Sequence, residues 1–291
     1  GLFWVMTGAS VLIWSGVVGL AIYAMYFRSS PIDTRTGRRL IIGGGVIFPV
    51  IVLAVLLIVG LSMLPGLLAP APAGALRVQV TGHQWWWHIR YLPDGGTPFE
   101  VANELHLPVG QPVQLELNGR DVIHSFWIPS IGGKVDMIPG RQTRLRLQPT
   151  RTGVFQGACA EYCGTSHAQM RLVLVVEEPA AFAQWMAAQS GEVATPGSPP
   201  AQRGAGQFLA NGCGGCHTIR GTEARGVIGP DLTHVGSRLT IGAGVLENSA
   251  AAIRRFIADP AAIKPGALMP SFGMLPDEDL RDLAAYLAER R

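Results

Sequence analysis

Two stretches near the N-terminus, Leu2–Phe27 and Leu40–Leu64, contain no charged residue. Each exceeds the roughly 20 residues an α-helix needs to cross about 30 Å of hydrocarbon. In lipid, a segment can satisfy its own backbone N–H and C=O groups only as a helix. Residues 1–69 are therefore expected to form a membrane anchor of two helices, about 2–27 and 40–64. The first run is too long for the apolar core of a signal peptide, about 7–15 residues, and it lacks a basic start. Gly43-Gly44-Gly45 and Pro49 weaken the second run as a helix, but membrane helices tolerate such residues where neighbours re-satisfy the backbone.

Charge sets the expected orientation. Between the two runs, Arg28, Arg35, Arg38 and Arg39 stand against Asp33 alone, a net +3, which equals the net charge of the whole chain. Short basic loops stay cytoplasmic, so both termini and everything after Leu64 are expected on the outer side of the membrane, in the periplasm or its equivalent. A chain beginning at Gly1 with an external N-terminus suggests a removed leader. Residues 70–190 and 204–291 each hold nine basic and nine acidic residues. Neither offers the basic excess that nucleic-acid binding requires.

The segment Cys159–Met170 reads Cys-Ala-Glu-Tyr-Cys-Gly-Thr-Ser-His-Ala-Gln-Met. Soft sulfur ligands with imidazole select copper, and a thioether suits zinc poorly. Cys163, His167 and Met170 have the spacing of a single-copper site, and Cys159 adds a thiolate that could bridge a second ion. A second copper needs its own imidazole, and His124 in Val-Ile-His-Ser-Phe-Trp-Ile-Pro fits that need. The competing readings are a disulfide or a structural zinc site.

These residues resemble subunit two of the haem–copper cytochrome c oxidases and its binuclear copper-A site. The resemblance extends through Gly82–Trp85 (Gly-His-Gln-Trp) and Gly133–Arg141. It implies a Greek-key cupredoxin sandwich, with Cys159 and Cys163 bridging two coppers and His124 and His167 each terminating one. Met170 and the backbone carbonyl of Glu161 would be weak axial ligands. It further implies that the Glu161 side chain faces the catalytic partner subunit and helps hold magnesium, a hard cation suited to carboxylates. Trp85, the Trp after Gly-His-Gln, would be the residue through which electrons enter, against the plainer reading of Trp85-Trp86-Trp87 as a core stripe in which Trp85 and Trp87 share one face of a strand. The resemblance departs at one point: Arg38–Val50 lacks the glutamate that lines a proton channel in many members.

A second site lies in the last third. Cys213-Gly-Gly-Cys216-His217 has the spacing for covalent attachment of a c-type haem, with His217 as proximal ligand. The surroundings resemble class I cytochromes c, in which a Met before a Pro supplies the sixth ligand. Met269 is the candidate and Met274 its rival. Leu280, Leu283, Ala284 and Leu287 predict an amphipathic helix over Asp277–Arg290. All four cysteines are thereby used, and His83, His88, His106 and His234 remain unassigned.

The expected organisation is an anchor (1–69), an all-β cupredoxin domain (70–180), a short helix and flexible linker (181–203), and an all-α cytochrome c domain (204–291). Strands are expected at Leu76–Thr81, Val113–Asn118, Thr143–Gln148 and Met170–Val176, alternating as in Arg144-Leu145-Arg146-Leu147. Ser190–Gln202, rich in Gly, Pro, Ser and Ala, reads as a linker. Its thirteen residues would tether haem c near copper at an effective concentration on the order of millimolar. The family resemblance implies a subunit of cytochrome c oxidase without turnover of its own. Electrons would pass from a periplasmic donor through haem c and copper-A to a haem in the catalytic subunit, where oxygen is reduced to water. The alternatives are a membrane-anchored subunit of a nitrous-oxide or nitric-oxide reductase, and a quinol oxidase subunit, which would lack the copper ligands.

Overall fold

A computed structural model of the chain describes residues 2–193 and 195–291. Gly1, on which the leader expectation rests, and Ala194, within the expected linker, lie outside the described residues. The chain divides into two units, Gly1–Gly66 and Leu67–Arg291.

The first unit contains α1 (Leu2–Tyr26), α2 (Thr34–Ile42), a π-helical segment (Gly43–Ile47) and α3 (Phe48–Leu68). Two helices, Leu2–Tyr26 and Thr34–Gly66, are long and apolar enough to cross a membrane. The second begins six residues earlier than the uncharged run, because Asp33 caps it. Asp33 Oδ1 accepts the backbone N–H groups of Arg35 at 3.1 Å and Thr36 at 2.9 Å, which satisfies two donors orphaned at a helix start. Three of the four loop arginines therefore sit on helix. The triple glycine falls in the π segment, the wider turn that helices adopt in short pieces.

In the second unit, ten strands form two five-stranded sheets. They are β1 (Leu76–His83), β2 (Trp86–Leu92), β3 (Phe99–Ala102), β4 (Glu104–Pro108), β5 (Val113–Gly119), β6 (His124–Trp127), β7 (Val135–Met137), β8 (Thr143–Leu147), β9 (Gly153–Cys159) and β10 (Arg171–Glu177). One sheet runs β3-β2-β1-β5-β8 and the other β4-β10-β9-β6-β7. Most neighbours are antiparallel, but β1 pairs β5 and β10 pairs β4 in parallel. Val78, Val80, Ile89, Leu115 and Leu117 fill the space between the sheets. The helix α4 (Pro179–Ser190) closes one side of the sandwich, with Trp185 stacked on the His106 ring at 4.1 Å. His106 is held by Glu104 and Glu177, both at 3.1 Å.

The C-terminal domain packs α5 (Pro199–Ala210) across α8 (Asp277–Ala288), with α6 (Ala250–Ala258) and α7 (Pro260–Ile263) between them in sequence. Arg203 grips Asp282 with two hydrogen bonds, at 2.6 and 2.8 Å, and the Phe208 ring lies 5.7 Å from Tyr286. The expected linker is corrected here. Ser198 Oγ accepts the N–H of Ala201 at 3.3 Å, and Pro199 and Pro200 occupy the first helical positions, so the helix starts inside the Pro-rich stretch. At its other end, the carbonyls of Gln189 and Ser190 accept from the Arg220 guanidinium at 2.7 and 3.2 Å. The connector shrinks to residues 191–198 and is held at both ends.

Glu116 is a buried carboxylate on β5 that gathers Arg77 (2.6 Å), Gln79 (3.0 Å) and Gln142 (3.0 Å). Burial pushes its pKa up, but the hydrogen bonds outweigh burial and hold it below the ordinary 4.5. Its stabilisation is therefore complete above that ordinary value and drains as pH falls through the lower folded value. Glu116→Gln should cost about 1 kcal/mol at neutral pH and flatten the loss of stability on acidification. Urea unfolding of the detergent-solubilised chain across that range checks this. Equal acid sensitivity in variant and parent would refute it.

Candidate metal centres and the contact between them

The sulfur-rich loop leaves β9 at Cys159 and returns to β10 after Met170, while His124 opens β6, the neighbour of β9. Strand pairing thus brings the distant imidazole to the loop. His124, Cys159 and Cys163 are buried with their donor atoms within 4.8 Å of one another. His124 Nδ1 lies 3.8 Å from Cys159 Sγ, His167 Nδ1 3.5 Å from Cys163 Sγ, and Met170 Sδ 3.8 Å from Cys163 Sγ. The Glu161 carbonyl oxygen is 3.2 Å from Cys159 Sγ. All six sequence-predicted donors converge, and a set of two thiols, two imidazoles, a thioether and a carbonyl fits copper.

The electrostatics favour a thiolate ligand. A hydrogen bond with the Cys163 thiol, reinforced by His124, pushes the Cys159 pKa well below the usual thiol range. Cys163 rises in turn, because its hydrogen bond to Cys159 holds its proton, and burial and the neighbouring negative charge add to that. Burial opposes charge on His124, but Cys159 and Asp121 outweigh it and raise its pKa.

Sequence reasoning missed Asp121. Its Oδ1 accepts from His124 Nε2 at 2.8 Å, which leaves Nδ1 facing Cys159, and its Oδ2 accepts the Gln84 N–H at 2.7 Å. A carboxylate three residues before a proposed imidazole ligand was the available signal. The Gly in Gly-His-Gln-Trp also gains a reason, since a Cβ on Gly82 would come within 2.8 Å of the His124 ring.

The C-terminal domain holds a cavity of about 330 Å³. Cys213, Cys216, His217 and Met269 all line it, whereas Met274 does not and is 78% exposed. His217 Nδ1 donates to the Pro230 carbonyl at 2.8 Å, so its neutral ring keeps the Nε2 lone pair for a metal. Burial lowers its pKa and favours that neutral form. A Cβ on Gly229 would stand 2.5 Å from the ring. Two thiols, a neutral imidazole and a thioether around an apolar cavity fit a covalently held haem.

Trp85 differs from expectation. It occupies the turn between β1 and β2 rather than a strand position, and β2 starts with Trp86 and Trp87. It is only 8% exposed. Its Nε1 donates to the Cys163 carbonyl at 3.0 Å, and its far rim packs against Gly266, where a Cβ would fall 2.8 Å from Cη2. Trp85 also lines the thiol-bearing cavity, so it touches both candidate centres. Hydrogen bonds join the domains as well, among them Ser166 Oγ to the Pro265 carbonyl (2.6 Å), Arg171 N–H to the Ala243 carbonyl (3.0 Å) and Leu239 N–H to Glu104 Oε2 (2.8 Å).

Asp121→Ala should remove the group that orients His124 and weaken copper retention about 10–100-fold, leaving the C-terminal domain intact. Copper titration against a competing chelator reads this directly, and unchanged retention would show that Asp121 does not position the ligand.

Residues 92–177 match the family described as cytochrome c oxidase subunit II, periplasmic domain, and residues 201–290 match cytochrome c. Over 210 residues the chain is 40% identical to cytochrome c oxidase subunit 2 of Alkalihalophilus pseudofirmus, covering 72% of this chain and 60% of that one. The subunit 2 of Bacillus subtilis is 33% identical over 223 residues, with coverages of 73% and 62%. The chain thus spans about three-fifths of the length of these curated relatives. The solved periplasmic domain of subunit II of cytochrome oxidase of Bradyrhizobium japonicum is 33% identical, covering 41% of this chain and 96% of that domain, with a TM-score of 0.38. The chain belongs to the cytochrome c oxidase subunit II family and carries a cytochrome c domain after the periplasmic domain.

Proposed function

We propose that this chain is the electron-accepting subunit of a respiratory terminal oxidase. When bound, haem c and the copper pair supply one-electron carriers between a periplasmic donor and the haem of a catalytic partner, where oxygen is reduced to water with proton translocation. The observation that carries this reading is Trp85, buried against both the Cys163 carbonyl and the cavity lined by Cys213, Cys216 and His217.

In this reading, Cys213 and Cys216 attach the haem, and His217 and Met269 are its axial ligands. Met269 is preferred over Met274 because it lines the cavity. His124, Cys159, Cys163, His167, Met170 and the Glu161 carbonyl hold two coppers, and the Glu161 carboxylate shares a magnesium ion with the partner subunit. The role expected of Trp85 changes. A residue covered by the chain's own C-terminal domain is not the surface an outside donor meets, so Trp85 carries the contact within the chain. The donor's electron would enter at the cytochrome c domain.

The membrane anchor, the basic loop and the periplasmic-domain match support an outward placement of both metal domains, with both termini on the same side. The matched relatives carry oxidase names, which does not favour the reductase alternative. Purifying the complex through this chain should yield, as its largest membrane subunit, a haem–copper oxidase chain, with haem a or haem o beside haem c in the spectrum. A reductase catalytic subunit in its place would overturn the proposal.

A further inference from the structure

Lys264 is a buried lysine that the proposed function leaves without a role. It follows α7 on the segment that leads to Met269, and it is 5% exposed. Its ammonium has three protons to donate, yet it makes one hydrogen bond, to the Gly242 carbonyl at 3.0 Å. Among the described residues, no carboxylate lies within ion-pair distance of it. A buried charge without a partner is costly, and burial pushes Lys264 down to about 7.

The surroundings indicate what would compensate that cost. Lys264 and Arg238 are the charged side chains lining the cavity, and both are cations. Thr240, also in the lining, has a buried Oγ1 with no hydrogen-bond partner among the described residues. An apolar cavity with two cations, an idle hydroxyl and no carboxylate among its described residues fits an occupant that is apolar over most of its surface and anionic at one end. A haem, with its two carboxylates, has that character.

We propose that Lys264 is the counter-ion of a haem c carboxylate at the end of the cavity that adjoins the copper domain, with Thr240 Oγ1 donating to the same group. The chain neighbours of Lys264 explain why this end matters. Pro265 accepts from Ser166 in the copper loop, Gly266 packs on Trp85, and Met269 follows. One ion pair would then anchor the axial-ligand segment and the interdomain contact together. A fixed positive charge beside the haem favours the ferrous state, so Lys264 acts as a positioning residue that also raises the haem potential.

This inference rests on reading the cavity as a haem c site, which a pyridine haemochrome spectrum of the wild-type complex tests separately. The direct test is an anaerobic spectroelectrochemical titration of the purified complex carrying Lys264→Met, Lys264→Arg or Thr240→Val. The Met variant should lower the haem c potential while keeping the sulfur-to-iron band of the oxidised haem. The Arg variant should restore the potential towards wild type, and the Val variant should lower it by less than Met does. An unchanged haem potential in a haem-loaded Met variant would overturn the proposal. So would an equal fall in the Arg and Met variants, or a shift confined to the copper centre, which would make Lys264 a partner of the copper thiolates. If the Met variant fails to load haem, an unshifted potential in Thr240→Val overturns it.

Discussion

The Trp85 ring, pinned within the β-sandwich domain by a hydrogen bond from its Nε1 to the Cys163 carbonyl at 3.0 Å, meets the C-terminal domain at Gly266. That bond fixes the ring against the sulfur-rich loop, and Gly266 seats the C-terminal domain on the other rim of the same ring. Ser166, Arg171 and Glu104 add hydrogen bonds around it. Leu67–Arg291 is accordingly one unit, in which the sulfur cluster and the thiol-lined cavity share a wall. Electron transfer between them would cross that shared wall.

The docking changes how the charge balance is understood. Nine basic and nine acidic residues in each domain give no net attraction to steer one onto the other. A flexible tether would have been one remedy, but Arg220 and His234 hold the start of the connector and Ser198 caps a helix at its end. Specific hydrogen bonds and packing take the place of both steering and tethering.

What the sequence revealed follows from how local each signal is. The membrane helices were legible because absence of charge over a span is itself the physical requirement. The candidate copper donors from Cys159 to Met170 were legible because one loop supplies them. Strand β4 was not, since Glu104 and His106 are buried there by a polar network with Glu177 that breaks the apolar–polar alternation. The position of Trp85 was also hidden, because a run of three tryptophans looks like a strand until β1 pairs with β2 and the chain turns at Gln84 and Trp85. The start of α5 was readable in principle. Ser198 followed by two prolines is a helix N-terminus pattern, and the compositional reading as a linker overrode it. Asp121 and Lys264 acquire meaning only from groups brought to them by folding.

Trp85 holds the two candidate centres in fixed contact. The most direct measurement is the rate of electron transfer from haem c to copper in the intact complex, followed by flash photolysis while ionic strength and solvent viscosity are varied independently. Fixed contact predicts a rate that changes with neither, because no charged surfaces must meet and no domain must swing. A rate that falls as viscosity or salt rises would mean that the C-terminal domain moves to deliver its electron and that Trp85 does not hold the two centres in fixed contact.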